Sequence, residues 1–174
     1  MEHITLPNLF FQKALENSDK PFLWAKRNKE WKSLSWHETE VRVKQVAAGL
    51  KYHGIMPGDK IIIVSENRPE WIISDLAINT LNAITVPAYV TNTEDDHRYI
   101  IEHSDAKAVI VSDNILANRI ALALSKVNSC KLLITMDEYS GFMPEGLKVE
   151  SYEKLAQIGE ENISTALHNL CLLY

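Results

Sequence analysis

At 174 residues, 46% of them hydrophobic, the chain fits one domain and can bury a core without metal or disulfide staples. The formal net charge of −5 is spread along the sequence, and no Lys/Arg cluster is interleaved with aromatics, so nucleic acid is not an expected partner. Cys130 and Cys171 stand far apart outside any CxxC spacing, and Met1-Glu2-His3-Ile4 begins no basic-then-apolar leader. Both features suit a cytoplasmic protein. The continuous apolar runs, at residues 61–64 and 109–111 for example, fall far short of the roughly 20 residues that span a bilayer, so no transmembrane segment is expected.

From residue 22 to residue 36 the side chains alternate about a polar tip, Arg27-Asn28-Lys29-Glu30, with Trp24 and Trp31 on either side. That pattern predicts a hairpin of two short strands, although a tip without glycine leaves its register open. Ser35 followed by Glu38 makes a capping box, so a helix begins there. Val43, Val46, Ala47 and Leu50 give it one apolar stripe, and Gly54 supplies the left-handed residue that ends it.

Pro57-Gly58-Asp59 then turns the chain into Lys60-Ile61-Ile62-Ile63-Val64, apolar on both faces as a strand between two helix layers must be. A second helix is expected to start near Asn67, with Pro69 in its first turn and Glu70 at capping-box distance. It carries Ile73, Leu76, Ala77 and Leu81 inward, and Asn82, which tolerates a left-handed conformation, stops it. The alternation repeats as strand 84–89, helix 93–104, strand 107–111, helix 113–127 and strand 131–135. Strand following helix at this period predicts a doubly wound α/β fold, a parallel sheet with helices on both faces. Residues 137–148 read as loop, 151–160 as a short helix, and 165–174 fit helix or strand equally well.

A sheet of this kind often holds a nucleotide at the carboxyl ends of its strands, yet none of the six glycines forms GxGxxG. Gly49 and Gly54 have the spacing of a Walker loop, but Ile55 and Met56 stand where Lys and Ser/Thr are required. His37-Glu38 resembles the start of a zinc-protease helix, but position 41 is Val instead of a second histidine. His97 and His103 lie six residues apart on one helix and so on different faces, as solvated or half-buried side chains. Asp95 and Asp96 belong to a first helical turn, where acids complement the dipole. No GxSxG occurs, and neither cysteine has an activating neighbour in sequence.

The segments Asp59 to Trp71, Ala83 to Tyr89, Leu34 to Glu38 and Tyr99 to Ala106 resemble adenylate-forming enzymes, and most of all long-chain fatty-acid CoA ligases. Asp59-Lys60-Ile61-Ile62-Ile63-Val64-Ser65-Glu66-Asn67-Arg68-Pro69-Glu70-Trp71 resembles one stretch of that family. So do Ala83-Ile84-Thr85-Val86-Pro87-Ala88-Tyr89 with Thr91-Asn92-Thr93, Leu34-Ser35-Trp36-His37-Glu38, Gly54 through Asp59, and Tyr99-Ile100-Ile101-Glu102-His103-Ser104-Asp105-Ala106. The resemblance runs from about Leu6 to Met136 in the family's order. Asn82 and the tip Asn28-Lys29-Glu30 stand where the family usually has glycine, and residues 167–170 match it poorly.

What the resemblance implies is a scaffold subdomain of an enzyme that adenylates a carboxylate with ATP and Mg²⁺, then transfers the acyl group to CoA. In that family a Ser/Thr/Gly-rich loop ending in lysine holds the triphosphate and follows a short apolar strand. Cys171-Leu172-Leu173-Tyr174 resembles that strand. The implied organisation is a single incomplete domain, 1–174, with an N-terminal segment and hairpin at 1–35, a βαβ core at 36–136, and a loop, short helix and truncated strand at 137–174. No catalytic, cofactor-binding or metal-binding residue carries over to any position, so ATP, Mg²⁺ and CoA belong to the full-length family and the chain is expected to be inactive alone. Fatty acid is the family's substrate, and association with a membrane would be peripheral. One alternative is a complementation module that self-associates or pairs with a separately encoded remainder through an exposed edge and an apolar tail. A stand-alone nucleotide-binding domain is a further one.

Overall fold

A computed structural model describes residues 5–166. Thr5 caps the first element, its hydroxyl accepting the Asn8 amide at 3.3 Å, and Pro7 lies in the opening turn. The resulting helix α1, Leu6–Asn17, turns Phe10, Phe11 and Ala14 inward and is an element the sequence reading did not anticipate. The hairpin follows as β1, Pro21–Arg27, and β2, Glu30–Ser35. Its register pairs Arg27 with Glu30, and the tip residues Asn28 and Lys29 both take positive φ, 53° and 67°. This is the two-residue turn whose twist matches that of the strands. Phe22 stacks on Trp36 with ring centroids 3.8 Å apart, fastening the hairpin to the core.

Helix α2, Trp36–Tyr52, opens on the expected capping box: Ser35 Oγ accepts the Glu38 amide at 3.1 Å, and Glu38 Oε2 accepts the Ser35 amide at 2.7 Å. Gly54 (φ 86°) and Asn82 (φ 54°) are the left-handed residues anticipated after the first two core helices. The series continues as β3 Lys60–Val64, α3 Pro69–Thr80, β4 Ile84–Ala88, α4 Glu94–Ser104, β5 Ala108–Val111, α5 Asn114–Leu124 and β6 Leu132–Thr135. A last strand, β7 Lys148–Ser151, falls partly in the expected loop, and α6, Tyr152–Ala166, outruns the expected helix. The tail beyond residue 166, including residues 171–174, lies outside the described residues.

The sheet order is β4-β3-β5-β6-β7, with every neighbouring pair parallel. Alternate strand residues feed two cores. Ile61, Ile63, Ala108, Ile110, Leu132 and Ile134 join residues of α1, α2, α3 and α6 on one face. Ile62, Val64, Val109, Val111 and Leu133 join α4 and α5 on the other. The fold is thus the doubly wound α/β architecture that the alternation predicts.

Candidate functional site at the carboxyl end of the sheet

Leaving β3, the chain first adds β4 on one side and then returns to add β5 on the other. The strand order therefore reverses between β3 and β5, and the crevice beyond their carboxyl ends is where such sheets place ligands. Ser65, Glu66, Asn67 and Arg68 follow β3, Ser112 and Asp113 follow β5, and Met136 and Asp137 follow β6. The hairpin tip overhangs them, enclosing an open basin of about 750 Å³ lined by Trp24, Lys26, Arg27, Trp31, Arg68 and Asp137 among others.

The polar groups of this crevice hold one another. Ser112 Oγ donates to Glu66 Oε2 at 2.6 Å, tying the turn after β5 to the turn after β3. Arg68 donates through Nε to Glu70 Oε2 at 2.9 Å and through both terminal nitrogens to Asp137 Oδ1 at 3.1 Å. Arg27 pairs with the other oxygen of Glu70. Burial alone would raise the Glu70 pKa, but hydrogen bonds from Arg68 and the nearby guanidinium charges outweigh it and hold the carboxyl below its ordinary range. For Arg68 burial acts to lower the pKa, and Glu70 with Asp137 overcomes it in the upward direction. Beneath this network the Tyr152 hydroxyl sits 3.0 Å from Ser74 Oγ, and Ser74 donates to the Glu70 carbonyl at 2.7 Å. Helix α3 is capped by Arg68 without a side-chain hydrogen bond, so the anticipated Asn67/Glu70 box is absent. Glu70 turns to the two arginines instead, one at each carboxylate oxygen, because two charge-assisted hydrogen bonds are stronger than a bond to one amide.

The remaining candidates are dispersed. Gly49 lies inside α2 against the backbone of Leu155 and borders no phosphate loop. His37, mostly exposed, reaches only Glu40 at 3.8 Å, while Glu38 serves the capping box. Asp96 completes a second capping box with Thr93. His103 is exposed and stacks on Tyr99, but His97 is buried, a correction to the half-solvated reading. His97 and Ile101 are the buried side chains of α4, and the body of the imidazole adds to the inward face of this otherwise polar helix. Cys130 is buried, and burial pushes its thiol up to about 11, a poor nucleophile. Among the described residues no group of three or more His, Cys, Asp or Glu could hold a metal ion. No helix among them is long and apolar enough to cross a membrane. The sequence reading passed over Arg27, Arg68, Ser112 and Asp137. Three of them lie just past strands that end at the crevice, and that position was the available signal.

A sequence-family model described as AMP-binding enzyme matches residues 10–173. The chain is 26% identical over 139 residues to long chain acyl-CoA synthetase 7, peroxisomal, of Arabidopsis thaliana, covering 77% of this chain and 20% of that protein. It is 30% identical over 168 residues to long-chain-fatty-acid–CoA ligase 6 of Rattus norvegicus, covering 90% of this chain and 22% of that one. The chain thus spans about a fifth of the length of these curated relatives. Among solved structures, a benzoate CoA ligase from Burkholderia xenovorans LB400 superposes with a TM-score of 0.72 at 22% identity, over 88% of this chain and 28% of its own. The coronafacic acid ligase of Pectobacterium brasiliense gives 0.75 at 19% identity, over 88% and 29%. At such identities these two likenesses establish the fold.

Proposed function

Because this chain belongs to the AMP-binding enzyme family, we propose that it supplies the N-terminal scaffold of a long-chain fatty-acid CoA ligase. The complete enzyme would adenylate a fatty acid with ATP and Mg²⁺ and pass the acyl group to CoA. The 174 residues do not carry out that chemistry alone.

The observation that supports this reading is the crevice at the carboxyl end of the sheet. Phosphate chemistry of this kind depends on pre-organised donors and a metal ion aimed at the reacting group. Here the Arg27 and Arg68 guanidiniums face Glu70 and Asp137 instead. The turns after β3 and β5 contain no glycine that would let a phosphate approach the backbone. ATP, Mg²⁺, CoA and fatty acid are accordingly ligands of the complete ligase, in the cytoplasm or peripheral to a membrane. Purified chain incubated with ATP, Mg²⁺, fatty acid and CoA is expected to release no fatty-acid-dependent AMP or pyrophosphate. Acyl-adenylate in that mixture would refute the proposal.

A second reading, complementation by another polypeptide, draws on the sheet edge. Strand β7 ends the sheet and has no partner on its outer side among the described residues. An unpaired edge is a template for strand addition. Co-elution with a separately expressed remainder of a long-chain ligase would support this reading, and a monomer that captures none of it would remove it.

A further inference from the structure

The opposite, amino end of the sheet gathers positive charge. Lys60 opens β3, Lys107 precedes β5, Lys131 precedes β6 and Lys148 opens β7. The Lys107 amide donates to the Lys60 carbonyl at 2.9 Å and the Lys148 amide to the Lys131 carbonyl at 2.9 Å, while the register sets Lys148 opposite Leu132, one residue further along. Adjacent strands lie about 4.8 Å apart, so these lysines form a staggered row along the end of the sheet, with Lys148 one residue further in. A cavity of about 390 Å³ opens onto this row, with His53, Asp59, Lys107, Lys131 and Lys148 in its lining.

The nearby carboxylates leave part of the row uncompensated. Lys107 pairs with Asp105 at 3.0 Å, and Asp59 accepts the Met56 amide at 2.7 Å. Lys131 donates to the Val127 carbonyl at 3.3 Å, and Lys148 contacts His53 Nδ1 at 3.3 Å. Among the described residues neither Lys131 nor Lys148 has a carboxylate within 4.0 Å. Each ammonium has three donors, so both keep donors in reserve. The His53 side chain is 4% exposed. With Nδ1 facing the Lys148 ammonium, the imidazole proton belongs on Nε2, a buried atom without a hydrogen-bond partner, and Glu150 stands 3.8 Å from it. Burial and the Lys148 charge lower the His53 pKa, and Glu150 opposes them. A buried donor left unpaired is unfavourable, and Glu150 at 3.8 Å stands beyond hydrogen-bond reach of it.

We propose that this cavity binds a phosphate-class anion, held by the Lys131 and Lys148 ammonium groups beside the His53 imidazole. Free phosphate and a phospholipid headgroup share that chemistry. The site lies at the other end of the sheet from the crevice, so it stands independently of the ligase reading.

The test titrates inorganic phosphate into the 174-residue chain at constant ionic strength maintained with chloride. Melting temperature and the imidazole nitrogen NMR resonances of His53 are followed together. A saturating rise in Tm and a His53 shift with the same midpoint are expected. In the Lys131→Gln/Lys148→Gln variant the midpoint weakens by about tenfold or more, the loss expected for two charge-assisted hydrogen bonds. Its Tm in chloride alone stays close to that of the parent. If the double variant does not melt cooperatively, Lys148→Gln alone serves. Lysine-dependent sedimentation with phosphatidylglycerol vesicles and not with phosphatidylcholine, without a response to free phosphate, assigns the site to a lipid headgroup. No response in either arm, or responses that the substitutions leave unchanged, overturns the proposal.

Discussion

Lys29 holds a backbone conformation, φ 67°, that L side chains adopt at a steric penalty and glycine adopts freely. Lys29→Gly is expected to raise stability by about 0.5 to 1 kcal/mol, after the greater freedom of glycine in the unfolded chain is subtracted. The midpoint of urea unfolding measures it. His97 makes a different prediction. Burial, with Arg119 nearby, lowers its pKa against the opposing charge of Asp96. Between that lowered value and the ordinary one near 6.5, the unfolded chain binds a proton that the folded chain does not. The stabilisation is complete above about pH 6.5 and is lost as pH falls below it, and His53 acts in the same direction. The urea midpoint should therefore fall between about pH 7 and pH 5.5, and His97→Gln should flatten that slope. Ser35, Gly54 and Asn82 were legible because their partners lie within one turn of chain. Glu70 was misread because one of its two guanidinium partners, Arg27, is 43 positions away, and the other, Arg68, is held in place by Asp137, 69 positions on.

Helices α2 and α6 meet backbone to backbone. A methyl group built on Gly49 would lie 2.2 Å from the Leu155 carbonyl oxygen, and one on Gly159 would lie 1.7 Å from that of Gln45. Neither carbonyl can rotate away as a side chain would, so Gly159→Ala is expected to lower stability by at least about 1 to 3 kcal/mol. It should also speed amide exchange along α6, whereas Glu160→Ala, exposed and adjacent, stays within about 0.5 kcal/mol of the parent. The sequence disclosed the glycines but not this use of them, since close helix approach is a relation between two segments. Helix α1 was open to discovery through Thr5, Pro7 and the inward set Phe10, Phe11 and Ala14. Strand β7, Lys-Val-Glu-Ser at the sheet's edge, alternates too briefly to stand out from loop.

Across the whole molecule, β3 serves both cores, Ile63 pointing into one and Ile62 into the other. Replacing either with alanine should cost about 2 to 5 kcal/mol. Each variant should still unfold in one transition that coincides by tryptophan fluorescence and far-ultraviolet circular dichroism. Separate transitions would show that the two faces melt independently. The architecture and the family were readable because apolar runs, turn residues and local motifs carry them along the chain. The ionic crevice was not, since Arg68 and Asp137 meet across 69 positions and only the folded sheet brings them together.

The glycine-notched seam between α2 and α6 also bears on the order of events during synthesis. Arg42 pairs across it with Glu153, 111 positions later. Until α6 has left the ribosome, the notch in α2 lies bare, and the strands and helices already made can hold only a provisional arrangement. Closing so wide a loop is slow compared with forming a helix or hairpin. The seam between α2 and α6 thus closes only after the residues around Gly159 have been made.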